Sequence, residues 1–308
     1  MVQPVSWILW NSVAMFVGAF GGGMLPGAIK LQDSSLRLMN LLGAGLMIGT
    51  ALAVIIPEGA EAYYSTKEPP HGVFGLALVG GFLLMLFLDS INFTGGSGVA
   101  PAHDFDAPPP LLAQTPRPLH QLPGFTTLVG ILFHSGADGI ALGSAAFAES
   151  AHVGTLISLA IVLHKAPTAF GLSTYLLKCG WNWSEVRQGI FLFAIAAPLV
   201  AIAGYGLLGS MPAFTAPESV AFCLLLSGGT FLYAACIHIL PEALKGAQEK
   251  AGGHHHQIAM HQVVAVASAA LVPLVFSLFH SHGHDHGGDI HDGHDHGHAH
   301  GQDHVHSE

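Results

Sequence analysis

Eight long apolar segments run through the sequence, and they constrain its fold more than any other feature. A helix that crosses a bilayer needs about 20 mostly apolar residues. The segments that reach this length are 6–29, 36–57, 73–92, 125–147, 153–178, 187–209, 218–243 and 258–280. Only 9% of the 308 residues are charged, far below the roughly 25% of an average soluble domain. We therefore predict an all-α integral membrane protein with eight transmembrane helices.

Basic residues in the connections predict how these helices are oriented, because Lys and Arg favour the cytoplasmic side. Seven of the nine lie in or beside odd-numbered connections: Lys30, Arg37, Arg117, Lys178, Arg187, Lys245 and Lys250. Lys67 lies in an even connection, and Lys165 lies within the fifth segment. Both termini are therefore predicted to be extracytoplasmic. The alternation also supports the even count, because a missed or invented helix would disrupt it.

Two segments differ in composition from the spans: a linker within the predicted transporter domain, residues 1–280, and the tail that follows this domain. Residues 93–123 contain Gly-rich and Pro-rich stretches and are predicted to form a flexible cytoplasmic linker. The tail, 281–308, is rich in His, Asp and Gly. It cannot build a core, so we predict that it is disordered and extracytoplasmic. Its composition favours weak capture of metal ions, with a neutral solvated tail as the alternative.

Cysteine and charge usage exclude other classes of protein. The three cysteines form no CxxC pair, so neither a disulfide framework nor a thiolate zinc site is indicated. The net charge of -10 comes partly from five aspartates in the tail. It therefore does not suggest nucleic-acid binding.

Ionisable residues near the middle of two segments are the main functional candidates. Such groups cost several kcal/mol in a membrane unless they are paired or line a polar cavity. His134 and Asp138 are four residues apart in the fourth segment, so they project from one helix face. His164 lies near the centre of the fifth segment, with Thr168 on the same face. Two imidazoles and a carboxylate suit zinc and other transition metals, and Thr168 or water could complete the site.

Less specific interpretations apply to the same residues. Intramembrane histidines often bridge helices by hydrogen bonds alone. Lys165 needs a partner, because a buried ammonium group is costly without one, and Asp138 is the obvious candidate. This pair could place a fixed cation beside the metal, in the position of a second ion, or it could be an ordinary structural ion pair.

Polar residues near the ends of other segments are candidates for the two ends of a pathway. His238 and Glu242 are four residues apart at the predicted cytoplasmic end of the seventh segment and suit an exit. Asp89 closes the third segment on the same side. Glu58 and Glu61 close the second segment on the opposite side, where an acidic mouth could concentrate cations. Solvated helix ends are the alternative.

These motifs resemble those of the ZIP (Zrt/Irt-like protein) metal transporters. The fourth span of that family typically reads His-Asn-x-x-Asp/Glu-Gly and its fifth His-Glu-x-Pro, which residues 134–139 and 164–167 match in part. The segments most similar to the ninth ZIP subgroup, found on Golgi and surface membranes, are 49–59, 137–143, 163–172 and 238–242. The resemblance covers nearly all of the membrane domain.

The resemblance implies eight spans with both ends outside, in an inverted-repeat bundle in which spans 1, 4, 5 and 6 move relative to spans 2, 3, 7 and 8. It also implies transport of zinc, or a similar divalent metal, toward the cytosol. Zinc is then a substrate and no cofactor is expected. The bilayer and divalent cations are the expected partners, with a homodimer as a further candidate and no nucleic acid. A Golgi or plasma membrane location follows from the same resemblance.

The sequence departs from the common ZIP pattern at four positions, and three of these departures would remove ligands of a second metal. The residues that replace the usual Asn, acidic or His residues are Ser135, Lys165, Thr168 and Ala197. The resemblance therefore implies one transported ion at His134, Asp138 and His164, with Lys165 in place of the second. Ser135, Lys165 and Thr168 would tune or complete that site.

Residues of these types also occur in two other functional classes. A membrane-embedded zinc hydrolase could use His and Asp to hold a catalytic zinc, but no HExxH motif or evident general-base carboxylate accompanies the histidines. A metal sensor or a proton channel is the third class, because intramembrane His and Asp also form proton relays.

Overall fold

The structure is a computed structural model that describes residues 3–28, 33–64, 72–90, 118–147, 151–208, 216–245 and 259–281. Most of the predicted linker and all but the first residue of the predicted tail lie outside these ranges. The expectations of a flexible linker and a disordered, metal-capturing tail therefore stay predictions.

The described chain is helical and forms eight long segments. Five of them are uninterrupted helices: α1 (Val5–Ala28), α3 (Val73–Ser90), α4 (Phe125–Ala145), α5 (Ala151–Lys178) and α8 (Met260–Ser281). A short 3₁₀ turn, Leu119–Gln121, precedes α4. The starts and ends of these helices follow the predicted segments closely, and α5 continues through Pro167.

The remaining three segments each contain a wider π-helical turn. The first, α2, comprises Asp33–Thr50, the π turn Ala51–Ile55 and Ile56–Tyr64. The second, α6, comprises Trp183–Ala203 and the π turn Gly204–Leu208. The third, α7, comprises Pro217–Tyr233, the π turn Ala234–Ile239 and Leu240–Lys245.

The end of the second predicted segment was wrong. We expected it to close at Pro57, with Glu58 and Glu61 as end residues, but α2 continues to Tyr64. The preceding π turn ends two residues before Pro57. Because proline lacks an N–H and its ring crowds the preceding turn of an α-helix, a locally altered hydrogen-bond ladder accommodates it. The π turn of α7 likewise ends two residues before a proline, Pro241.

Six helical segments in the described part of the chain are long and apolar enough to cross a membrane. They are Val5–Ala28, Ser35–Tyr64, Val73–Ser90, Phe125–Ala145, Trp183–Leu207 and Glu218–Leu244. In α8 the described apolar stretch, Met260–Val275, is shorter. The fifth helix carries His164 and Lys165 at its centre, which lowers its apolar character.

The helices pack in two groups. In the first group α1 lies against α5 and α6, and α4 lies against α5 and α6. In the second group α2 lies against α7 and α8, and α3 lies against α7. The groups meet where α4 packs on α7 and α2 packs on α5. The pairings show a two-fold internal correspondence. If the labels α1 and α6, α2 and α7, α3 and α8, and α4 and α5 are exchanged, the same principal pairs of helices are in contact.

The central helices α4 and α5 show the same internal correspondence at single residues. The succession of buried and exposed positions over residues 131–147 recurs over 161–177, an offset of 30 residues. With this offset, His134 corresponds to His164 and Asp138 corresponds to Thr168. Equivalent faces of the two helices therefore point into the interior of the bundle.

Close backbone contact between α1 and α5 depends on Gly22. A Cβ atom at this position would lie within 3.0 Å of backbone atoms of Ala166. The neighbouring Gly21 faces open space, with nothing within 4 Å of its Cβ position. Small residues of this kind let membrane helices approach closely.

We expect Gly22→Ala to lower the thermal unfolding temperature of the purified protein. One methyl group must push α1 away from α5, and overpacking of this kind costs about 1–3 kcal/mol. Gly21→Ala is the matched control and should be neutral or slightly stabilising, because Ala favours helix over Gly by about 1 kcal/mol. Equal unfolding temperatures for the two variants would contradict the described approach of α1 to α5.

Candidate metal centre

The three predicted ligands come together in the interior of the bundle. His134 and Asp138 project from α4 and His164 from α5, and all three are buried, with at most 3% of any residue exposed. One potential ligand atom from each lies within 4.8 Å of the others. Among the described residues, no other group of three or more His, Cys, Asp or Glu side chains has its potential ligand atoms this close together.

Asp138 is the centre of this cluster. Its Oδ2 lies 2.7 Å from Lys165 Nζ, 3.0 Å from His164 Nε2 and 3.3 Å from His134 Nε2. His164 donates a hydrogen bond from Nε2 to this oxygen. A carboxylate deep in the bundle has little access to water, so its interactions with neighbouring charges are stronger than at a surface.

Ser227 on α7 joins the cluster from the second group of helices. Its hydroxyl donates to Asp138 Oδ1 at 3.2 Å and also bonds to His134 Nδ1. Because the single hydroxyl hydrogen points to Asp138, the His134 ring must donate from Nδ1 to the serine oxygen. His134 Nε2 then carries a lone pair and no hydrogen, in agreement with its lack of a hydrogen-bond partner.

The free nitrogen atom of His134 is suited to a metal ion. Its 3.3 Å separation from Asp138 Oδ2 is about the distance between two ligands of a tetrahedral zinc ion that each lie about 2.0 Å from the metal. His164 also has one ring nitrogen, Nδ1, without a hydrogen-bond partner. The serine therefore acts as the partner that fixes the orientation of a candidate ligand, as outer-shell groups do in known metal sites.

Lys165 forms the ion pair with Asp138 that its burial predicts, so that expectation is confirmed. Its ammonium group also donates to Ser135 Oγ at 3.1 Å, and Ser135 donates in turn to the Phe193 carbonyl oxygen at 3.1 Å. The Phe193 ring lies 5.0 Å from Nζ, which is a cation–π distance. Lys165 is thus held between a carboxylate, a hydroxyl and an aromatic face.

Thr168 and Phe231 complete the surroundings. The Thr168 hydroxyl is fully buried and donates to the His164 carbonyl oxygen at 2.7 Å, within its own helix. Its oxygen lone pairs are still able to accept or ligate, so its role as a completing ligand stays a prediction. The Phe231 ring lies 4.5 Å from the His134 ring and is itself buried, which closes this side of the cluster to water.

The residues predicted for the exit side lie together at a second position. Tyr233 donates to Asp89 Oδ2 at 3.1 Å, and His238 Nε2 lies 3.6 Å from the same oxygen. Asp89 ends α3, whereas His238 belongs to the π turn of α7. Glu242 lies one turn beyond His238 and is partly buried. Sequence reasoning placed Asp89 and His238 on one side of the membrane, and the structure brings them into contact.

The two glutamates predicted for the opposite mouth have different surroundings. Glu58 is partly buried and lies on the α-helical part of α2 that follows the π turn. Glu61 is exposed. Both glutamates therefore lie within the last turns of α2, ahead of its end at Tyr64.

Sequence reasoning missed Ser227, Phe193, Phe231 and Tyr233. Each lies in an apolar segment where serine and aromatic residues are common, and none has a charge that demands a partner. Ser227 is followed by two glycines, and this run of small residues is a signal of close helix packing. It does not reveal which helix approaches.

Comparison with known proteins identifies the family. A family model described as "ZIP Zinc transporter" matches residues 114–275, which include the whole central cluster. Zinc transporter ZIP9-B of Xenopus laevis is 34% identical over 312 aligned residues, which cover 88% of this chain and 97% of that protein. The chain belongs to the ZIP family. ZIP9 of Micropogonias undulatus is equally similar, 34% identical over 88% of this chain and 97% of its own.

More distant ZIP proteins also align. Human ZIP13 is 25% identical over 285 residues, which cover 82% of this chain and 74% of that protein. The resemblance to ZIP transporters and to their ninth subgroup is thus confirmed. Family membership together with the apolar helices makes this ZIP protein a multi-pass integral membrane protein.

We expect Ser227→Ala to weaken zinc binding by about 10-fold or more, the range found when an outer-shell partner of a metal ligand is removed. Without the hydroxyl, His134 loses the acceptor that keeps its Nε2 unprotonated. Competition with a fluorescent zinc chelator would measure the affinity of the purified protein. Ser158→Ala is the control, because that hydroxyl bonds within its own helix to Thr155. An affinity equal to wild type in Ser227→Ala would show that the serine does not orient a ligand.

Proposed function

We propose that this protein carries zinc or a similar divalent cation across a membrane from the exterior or a lumen into the cytosol. The relatives reported above are named zinc transporters. The observation that carries the proposal for this chain is the buried His134–Asp138–His164 cluster, which lies where the two helix groups meet. A site at such a contact can be opened to either side by movement of one group against the other.

The donor set suits a transported ion. Two imidazoles and one carboxylate bind zinc and similar metals, yet they supply only one negative charge. Structural zinc sites are usually closed by four strong ligands. The weaker set supports reversible binding, as transport requires.

The enzyme and sensor alternatives are not favoured. The family is one of transporters, and the cluster carboxylate, Asp138, is already bonded to Lys165, His164 and Ser227. A hydrolase would need a further carboxylate free to act as a base on a metal-bound water. Zinc is therefore described as the substrate, with no cofactor assigned.

The proposed topology has eight spans, an inverted repeat and both termini outside the cytosol. Six apolar helices support it directly. We assign α5 and α8 as the other two spans because α5 is enclosed by α1, α2, α4 and α6 and α8 packs along α2. The two-fold correspondence of the helix pairings supports the inverted repeat. The alternation of basic residues between the connections supports the orientation.

Lys165 is proposed to take the place of a second metal ion. Its ammonium group lies 2.7 Å from Asp138 Oδ2, so it neutralises the one carboxylate of the cluster before any metal arrives. An incoming divalent cation must share that carboxylate with a fixed positive charge. The repulsion weakens binding and assists release. Ser135 and Phe193 hold the ammonium group in this position.

Pathway residues are proposed on both sides of the cluster. Glu58 and Glu61 form the extracytoplasmic mouth, with Glu58 partly buried and Glu61 exposed. Asp89 and His238 form the cytoplasmic exit station, and Glu242 lies beyond it. Glu58 and Glu242 follow the same Ile/Leu-Pro sequence after a π turn, so they occupy equivalent places in the two halves.

Location and assembly stay predictions that rest on the family resemblance. We propose the Golgi or plasma membrane as the location and a homodimer as a candidate assembly. The lipid bilayer is the proposed environment of the eight helices. The His-rich tail is proposed to capture metal ions outside the cytosol.

We expect His134→Ala and His164→Ala each to reduce zinc flux into proteoliposomes by at least about tenfold, since even outer-shell changes cost 10–100-fold in metal affinity. A fluorescent chelator sealed inside the vesicles would report the flux. His120→Ala is the matched control, because His120 is exposed and far along the chain from the cluster. Normal flux in both cluster variants would refute the site, and no flux of any divalent metal in wild type would refute transport.

We expect Lys165→Met to lower thermal stability in chelator and to increase the stabilisation that zinc provides. Removal of the cation leaves Asp138 as an unpaired buried charge, a loss of about 3–5 kcal/mol, which bound zinc then compensates. Thermal unfolding with and without zinc measures both effects. Lys178→Met, at the end of the same helix, controls for loss of a positive charge. An unchanged effect of zinc in Lys165→Met would mean that Lys165 does not compete with the metal.

A further inference from the structure

A groove on the outside of the bundle lies apart from the metal pathway. It is located between α1 and the beginning of α6 and has a volume of about 420 Å³. The residues that line it are Phe20, Leu119, Arg187, Gln188, Phe191 and Leu192. Its volume falls in the range of roughly 300–1,000 Å³ found for small-molecule sites.

Aromatic rings form one wall of the groove. Phe16 and Phe20 are stacked at 5.7 Å, and Phe191 meets both edge-on at 6.1 and 6.4 Å. Phe191 and Leu192 still have 47% and 40% of their surface exposed. The wall is therefore an ordered apolar surface that is open to the bilayer.

Arg187 gives the groove a charged end. Its side chain is exposed, and among the described parts of the chain no acidic group forms an ion pair with it. Gln188 lies beside it and adds amide donors. A guanidinium group binds phosphate through two parallel hydrogen bonds, and the chemistry of this end therefore fits a phosphate ester.

The position of the groove relative to the bilayer fits the same ligand. Trp183, which is partly exposed, lies just before Arg187, and tryptophan is enriched at the membrane–water interface. Phe191 is one helical turn further into the membrane, about 6 Å along the axis. The charged end thus lies at the level of lipid head groups, and the aromatic wall lies at the level of acyl chains.

We propose that this groove binds one anionic phospholipid of the surrounding leaflet. The phosphate contacts Arg187 and Gln188, and an acyl chain lies along Phe20, Phe191 and Leu192. Basic pockets between membrane helices on the cytoplasmic side are known to bind acidic head groups. Under the proposed topology Arg187 faces that side, although the binding itself does not depend on the orientation.

The site would connect lipid composition to the helix group that carries the candidate metal centre. Both α1 and α6 belong to the first helix group, which also carries His134, Asp138 and His164. A lipid that bridges α1 and α6 stabilises their contact. The proposal adds a ligand to the protein and stands whether or not zinc is the transported ion.

The test is lipid binding by the purified full-length protein in detergent, measured by native mass spectrometry. The probes are phosphatidylserine and phosphatidylcholine with identical acyl chains. We expect wild type to prefer phosphatidylserine by about fivefold, which is the effect of roughly 1 kcal/mol for one basic residue near an anionic surface. Arg187→Gln should remove the preference. Arg37→Gln, which removes a cation outside the groove, should retain it.

A second variant tests the apolar wall. Leu192→Trp fills the groove from an exposed position and should reduce binding of both lipids, with a normal unfolding temperature as the check on folding. The inference is wrong if wild type shows no preference, if Arg187→Gln keeps it, or if Arg37→Gln loses it. It is also wrong if a folded Leu192→Trp protein binds both lipids like wild type.

Discussion

A single buried carboxylate, Asp138, determines how the centre of this protein is built. An unpaired charge at this depth is costly, and three groups satisfy the carboxylate, which lies on α4: Lys165 and His164 from α5 and Ser227 from α7. Together with the carboxylate, these groups come from three helices that must meet at one level. The contact of α4 with both α5 and α7 therefore stabilises the Asp138 carboxylate as well as the packing of the bundle.

The correspondence between α4 and α5 places unlike residues at equivalent positions. The two histidines, His134 and His164, match each other, whereas Asp138 matches Thr168 and Ser135 matches Lys165. One half of the centre thus supplies an anion and the other a cation. A symmetric scaffold thus holds an asymmetric charge pair.

Much of this arrangement follows from the sequence alone, for physical reasons. Apolar length predicts the helices, the spacing of His134 and Asp138 predicts their shared face, and the cost of an unpaired ammonium predicts the bond between Lys165 and Asp138. Ser227 could not be predicted, because a serine in a membrane helix commonly bonds within its own turn. The continuation of α2 beyond Pro57 was missed because a proline usually marks a helix end, and the π turn before it has no clear sequence signature.

The π turns of α2 and α7 have a geometric consequence beyond accommodating a proline. A π turn inserts one residue into a helix, and one residue corresponds to a rotation of about 100° around the axis. Every side chain after the turn is therefore displaced by more than a quarter of a circle from where an unbroken α-helix would hold it. In α2 this rotation acts on Glu58, and in α7 it acts on Glu242. The one extra residue in each π turn therefore determines which neighbours the carboxylates of Glu58 and Glu242 face.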